Sequence, residues 1–126
     1  MMILLFHADD ACRNDVCSAA GKARVLHYPE GAKEECAPIG LLAGERIPLN
    51  ELRDGRRPAA EELKEPLAVI AGADETSLDK LLANLAGRDR RGLLKAVLTG
   101  NNRCWNARQL YGELVRERDQ MAKRRS

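Results

Sequence analysis

The chain has 126 residues, of which 44% are hydrophobic, 32% charged and only 3% aromatic, and its net charge is +2 at pH 7. That balance excludes a disordered chain. Acids are interleaved with the basic residues nearly throughout, which speaks against the one-signed basic face of a nucleic-acid binder. The length fits a single domain over 1–126, whose core has to be built from Leu, Ile, Val and Ala.

Ile3 to Phe6 is an unbroken apolar run ended by His-Ala-Asp-Asp, the pattern of a buried first strand. The run is too short for a secretory signal and lacks a basic n-region, and no apolar stretch reaches the roughly 20 residues that span a bilayer. A cytoplasmic location without a membrane partner is expected, with Cys12, Cys17, Cys36 and Cys104 as reduced thiols. Asp9 or Asp10 then caps a helix running to about Ala20, because a carboxylate there accepts from the open amides of the first turn. Cys12, Val16 and Ala19 or Ala20 share its inner face, and Gly21 ends it.

Arg24 to Tyr28 reads as a second strand at an edge, closed by Pro29 and Gly31. Residues 30–65 form an irregular crossover punctuated by Pro38, Pro48 and Pro58, with Pro58 at the first turn of a short helix through Lys64. Leu67 to Ala71 is a continuous apolar strand. Asp74 caps the next helix, whose Leu78, Leu81, Leu82 and Leu85 form the stripe of a helix lying on a sheet, and Gly87 closes it. Leu93 to Leu98 is the following strand. In the last helix Asn106 and Gln109 have capping-box spacing, with Trp105 and Leu110 placed for a hydrophobic staple. Ala107, Leu110, Tyr111, Leu114, Val115 and Met121 fall on one face, and a basic tail at 122–126 frays. No internal repeat or low-complexity tract stands out.

Two βαβ units imply parallel pairs with right-handed crossovers. The solid strands Met2 to Phe6 and Leu67 to Ala71 call for cover on both faces. The expected fold is therefore α/β, a four-stranded, mostly parallel sheet with helices on both faces. The alternative is a two-layer ferredoxin-like α+β sandwich whose bare face is covered in a dimer.

Residues 67–121 resemble a bacterial domain of unknown function, the family numbered 3783. The likeness rests on the strand Leu67 to Ala71 ending in Gly72, the Asp74-capped Leu helix, the run Leu94-Lys95-Ala96-Val97-Leu98-Thr99, then Asn102 and Trp105, and the Leu110, Glu113, Leu114 pattern. Gly100 stands where such proteins lead one to expect proline. The resemblance implies the fold and carries no activity.

In an open α/β sheet, ligands bind outside the carboxyl ends of the strands. If the strands run parallel, the loops after Phe6, Ala71 and Leu98 meet on one edge. That edge collects His7, Asp9, Asp10, Asp74, Thr99, Asn101, Asn102 and Arg103 as candidate ligand-binding residues. Amides of the Thr99 to Asn102 loop, Arg103 and the last helix's N-terminus are the groups suited to a phosphate. The chain contains neither a dinucleotide-binding glycine motif nor a Walker lysine motif. Cys12 and Cys17 are too far apart for a zinc knuckle, so neither metal nor cofactor is expected. Cys104 lies near a helix N-terminus without a histidine close in sequence, and no catalytic residue is assigned. The expected function is a non-catalytic binding or interaction module, its partner a protein or a second copy of the chain. The alternative is a small-molecule sensor or small enzyme using the strand-end edge.

Overall fold

The computed structural model describes residues 1–88 and 92–125. In chain order the elements are β1 (Met2–Phe6), α1 (Asp10–Ala20), β2 (Arg24–Tyr28), a 3₁₀ turn (Lys33–Cys36), α2 (Ile39–Leu42), α3 (Leu49–Asp54), β3 (Leu67–Ala71), α4 (Glu75–Ala86), β4 (Leu94–Val97) and α5 (Ala107–Arg125). They divide into two compact units. One is Met1–Ala32 with Lys64–Leu98, and the other is Lys33–Leu63 with the chain from Thr99 onward. Among the described residues no helix is long and apolar enough to cross a membrane.

The first unit is a four-stranded mixed sheet in the order β2-β1-β3-β4. β1 pairs with β2 in parallel, and β3 with β4 in parallel. Each βαβ unit therefore has its two strands as direct neighbours, whereas a ferredoxin-like sheet splits them with an intervening strand. The apolar strands are solid because both sheet faces are buried. Ile3, Leu5, Ala68 and Ile70 face α1 and α4 and pack with Val16, Ala19, Leu81 and Leu85. Leu4, Phe6, Leu67 and Val69 point to the other face and are buried as well. Phe6 also stacks on Tyr28, its register partner on β2, with ring centroids 5.0 Å apart.

The central pairing departs from the expectation. β1 and β3 are antiparallel, with Met2 opposite Ala71 and Phe6 opposite Leu67. The right-handed crossover rule fixes polarity inside each βαβ unit and says nothing of one unit against the other. A connection as long as that from β2 to β3 reaches either end of the sheet.

The two βαβ units also repeat one plan. A shift of 65 residues carries Met2 onto Leu67 and Phe6 onto Ala71, and the β1–β3 register maps onto itself about the Leu4–Val69 pair. The same shift carries His7 (φ 59°) onto Gly72 (φ 68°) and the cap Asp9 onto the cap Asp74. It also carries the buried Val16 onto the buried Leu81. This repeat escapes a reading of the sequence because little beyond Ala8-Asp9 with Ala73-Asp74 is shared as letters at that shift.

The second unit is built along α5. Its capping box forms as the spacing predicts. Asn106 N donates to Gln109 Oε1 at 2.9 Å, and Gln109 N donates to Asn106 Oδ1 at 2.8 Å. Ala107, Leu110 and Tyr111 are buried, Leu114 and Val115 half-buried, and Met121 exposed, so the apolar face of α5 is covered only over its first turns. Pro38 and Pro48 sit at the N-caps of α2 and α3. The helix expected from Pro58 to Lys64 does not form. The backbone there runs instead along α5, with Glu61 N donating to the Arg108 carbonyl at 3.0 Å. Gly112 makes this approach possible, since a Cβ at that position would lie 2.7 Å from the Ala59 carbonyl oxygen. Beneath them the buried Glu35 carboxylate pairs with Arg108 Nε at 3.3 Å.

Candidate functional site

Because β1 and β3 run in opposite directions, the expected single edge becomes two rims. β1 and β2 leave the sheet at one, β3 and β4 at the other. His7, Asp9 and Asp10 belong to the first rim and Asp74 to the second. Thr99, Asn101, Asn102 and Arg103 belong to the second unit.

Several of the candidate phosphate groups already have partners within the chain. Thr99 N donates to Asn102 Oδ1 at 2.9 Å, and Asn102 N donates to Thr99 Oγ1 at 3.3 Å. The Arg103 guanidinium makes a forked contact to Glu51, with Nη2 at 2.7 and 2.6 Å from the two carboxylate oxygens and Nε at 3.1 Å from Oε2. This bond holds the Arg103 pKa above its ordinary value, against a small opposing effect of burial. The Gln109 amide in the first turn of α5, and the amide of its cap residue Asn106, are taken by the capping box. Asn101 is an exposed turn residue. At the second rim, Asp74 caps α4 by accepting from Ser77 N at 2.7 Å. Its carboxyl is held below the usual range, chiefly by the Ser77 amide and then by the Ser77 hydroxyl. These residues serve as turn and cap.

The rim of β1 and β2 differs, for it holds a cavity of about 290 Å³ lined by His7, Ala8, Asp9, Cys12, Glu30, Lys64 and Pro66. All seven belong to the first unit. β1 delivers His7, whose amide donates to the Tyr28 carbonyl at 3.1 Å. A side chain in the left-handed region at φ 59° is costly, and such strain persists where the surroundings impose it. The next peptide is tied to β2, because His27 Nε2 donates to the Ala8 carbonyl at 3.1 Å. An acceptor there requires the Nε2–H tautomer or the imidazolium. Asp9 then caps α1, accepting from Cys12 N at 2.8 Å. Cys12 is buried in the core cluster one turn into α1. Glu30 follows Pro29 at the end of β2, and Lys64 and Pro66 lead into β3. β3 enters at this rim because it is antiparallel to β1.

Of the eight candidates, His7 and Asp9 line the cavity. Asp10 sits beside it as an exposed first-turn residue of α1. Glu30 was reachable by the strand-end rule applied to β2. Lys64 and Pro66 carry no signal of their own, since they reach the rim only through the reversed direction of β3. No group of three His, Cys, Asp or Glu residues able to hold a metal ion occurs among the described residues. Cys12 and Cys104 are buried, Cys17 and Cys36 exposed, and all four are free thiols.

Fold and site together define a small α/β protein with an open, mixed-charge cavity at one end of its sheet. Residues 66–121 match a domain of unknown function, DUF3783, as the resemblance over 67–121 implies. No curated protein and no solved structure matches the chain. The matched segment contributes only Pro66 to the cavity, so the lining side chains His7, Asp9, Cys12, Glu30 and Lys64 all lie outside it.

Proposed function

We propose that the chain is a non-catalytic binding module that seats a small molecule in the cavity at the carboxyl ends of β1 and β2. The observation that carries this reading is the cavity itself, about 290 Å³ lined by the polar residues His7, Asp9, Glu30 and Lys64 together with Ala8, Cys12 and Pro66. That volume lies at the small end of ligand sites, and polar groups set beside apolar lining supply orientation and contact area respectively. A strained His7 at the mouth fits a residue kept for its side chain. Cys12 packs into the core beneath, which supports an apolar role for its thiol rather than a nucleophilic one. Four free thiols favour a reducing compartment, hence the cytoplasm.

The test is a thermal-shift screen of the full chain with nucleotides, sugar phosphates, organic acids, amines and amino acids. The expected result is a saturable rise in Tm that is abolished in Ala8→Phe, which fills the cavity. A complete screen without a saturable hit, or hits undiminished in Ala8→Phe, overturns the reading.

A further inference from the structure

Resting on that reading, we infer that the occupant of the cavity is a small zwitterion of the free α-amino acid class. The inference comes from the charges around the mouth. Glu30 and Lys64 line the same cavity. Both are exposed, and neither side chain has an ion pair or hydrogen bond among the described residues, with each other or with any other group. The His7 imidazole likewise has no hydrogen-bond partner among them. By contrast Asp74 is spent on its cap and His27 on the Ala8 carbonyl.

The signs decide which ligand suits these groups. A simple anion drawn to Lys64 would share the cavity with Glu30 and Asp9, and a simple cation drawn to Glu30 would share it with Lys64, so each has a like charge in the same lining that opposes its attraction. A molecule carrying both charges meets each with its opposite. Its carboxylate takes the Lys64 ammonium and a His7 ring N–H, and its ammonium takes Glu30. A short side chain covers Ala8, Pro66 and the Cys12 surface. The volume of about 290 Å³ admits an amino acid.

The experiment uses the twenty free L-amino acids, the N-acetyl and carboxamide derivatives of any that bind, and a parallel library of neutral and singly charged fragments. Binding to the full chain is read by calorimetry. At least one free amino acid is expected to bind, with both capped derivatives weaker by about tenfold or more, since each has lost one charge-assisted contact. Glu30→Gln and Lys64→Met, both exposed and so harmless to folding, are expected to weaken it by a similar factor. Failure of every free amino acid, or equal binding of the capped derivatives, overturns the zwitterion assignment. If fragments then bind and are lost in Ala8→Phe, the cavity reading survives without it. If neither set binds, both fall.

Discussion

His7 and its counterpart Gly72 occupy the same left-handed position in the two βαβ units, at φ 59° and 68°. Placing an L side chain in that region costs about 1–2 kcal/mol. Glycine there avoids the cost but gives back about 0.4–1 kcal/mol through the greater freedom of the unfolded chain. His7→Gly should therefore exceed His7→Ala in stability by about 0.5–1 kcal/mol, a gap of roughly 2–5 °C in Tm for a domain of this size. At an ordinary helix or strand position the order is the reverse. The mirror experiment is Gly72→Ala. A Cβ built on Gly72 meets nothing within 4 Å, so its loss of stability, about 1 kcal/mol, measures backbone conformation free of any clash. Urea unfolding followed by circular dichroism reads all three variants. His7→Ala as stable as His7→Gly, or a neutral Gly72→Ala, refutes the argument for a strained turn at the cavity mouth.

Gly112→Ala pits a helix-propensity gain of about 1 kcal/mol against overpacking of about 1–3 kcal/mol where the new Cβ meets the Ala59 backbone. Net destabilisation by about 1 kcal/mol is expected in the same unfolding assay. Arg108→Met removes the Arg108 ion pair of the buried Glu35 carboxylate and should cost about 2 kcal/mol, less than for a fully enclosed pair because Arg108 itself is half-exposed. The double variant Glu35→Leu with Arg108→Met should recover part of that loss, and a strictly additive cycle counts against the pairing. Asp74 has a depressed carboxyl pKa in the fold, so its capping contribution is present above the unfolded carboxylate value and is lost as pH falls through the folded one. The Tm advantage of wild type over Asp74→Asn should thus be present at about pH 6 and shrink as pH falls below the ordinary carboxylate range. A pH-independent difference contradicts it.

What the sequence made legible was local. The caps at Asp9, Asp74 and Asn106 and the stripe of α4 follow from contacts within one or two turns, and the structure reproduces them. The solid apolar strands correctly signalled a sheet buried on both faces. The direction of β3 against β1 was not legible, because an apolar strand reads alike in either direction. That one polarity divided the expected edge into two rims and brought Lys64 to a cavity from which Asp74 is absent. The stretch after Pro58 failed for a related reason, since its Glu61 amide is satisfied by the distant carbonyl of Arg108 rather than by a neighbour in the chain.

The self-mapping register of β1 and β3 makes the sheet a covalent analogue of a dimer about a dyad through Leu4 and Val69. In a true homodimer any change at one end is copied at the other, so a costly histidine at the turn would be incurred twice. Joining the halves in one chain frees them from that constraint. One end keeps the relaxed glycine and the other carries the imidazole. A fluorophore or surface anchor attached beside Asp74 would therefore sit at the far end of the sheet and leave the cavity mouth open to solvent.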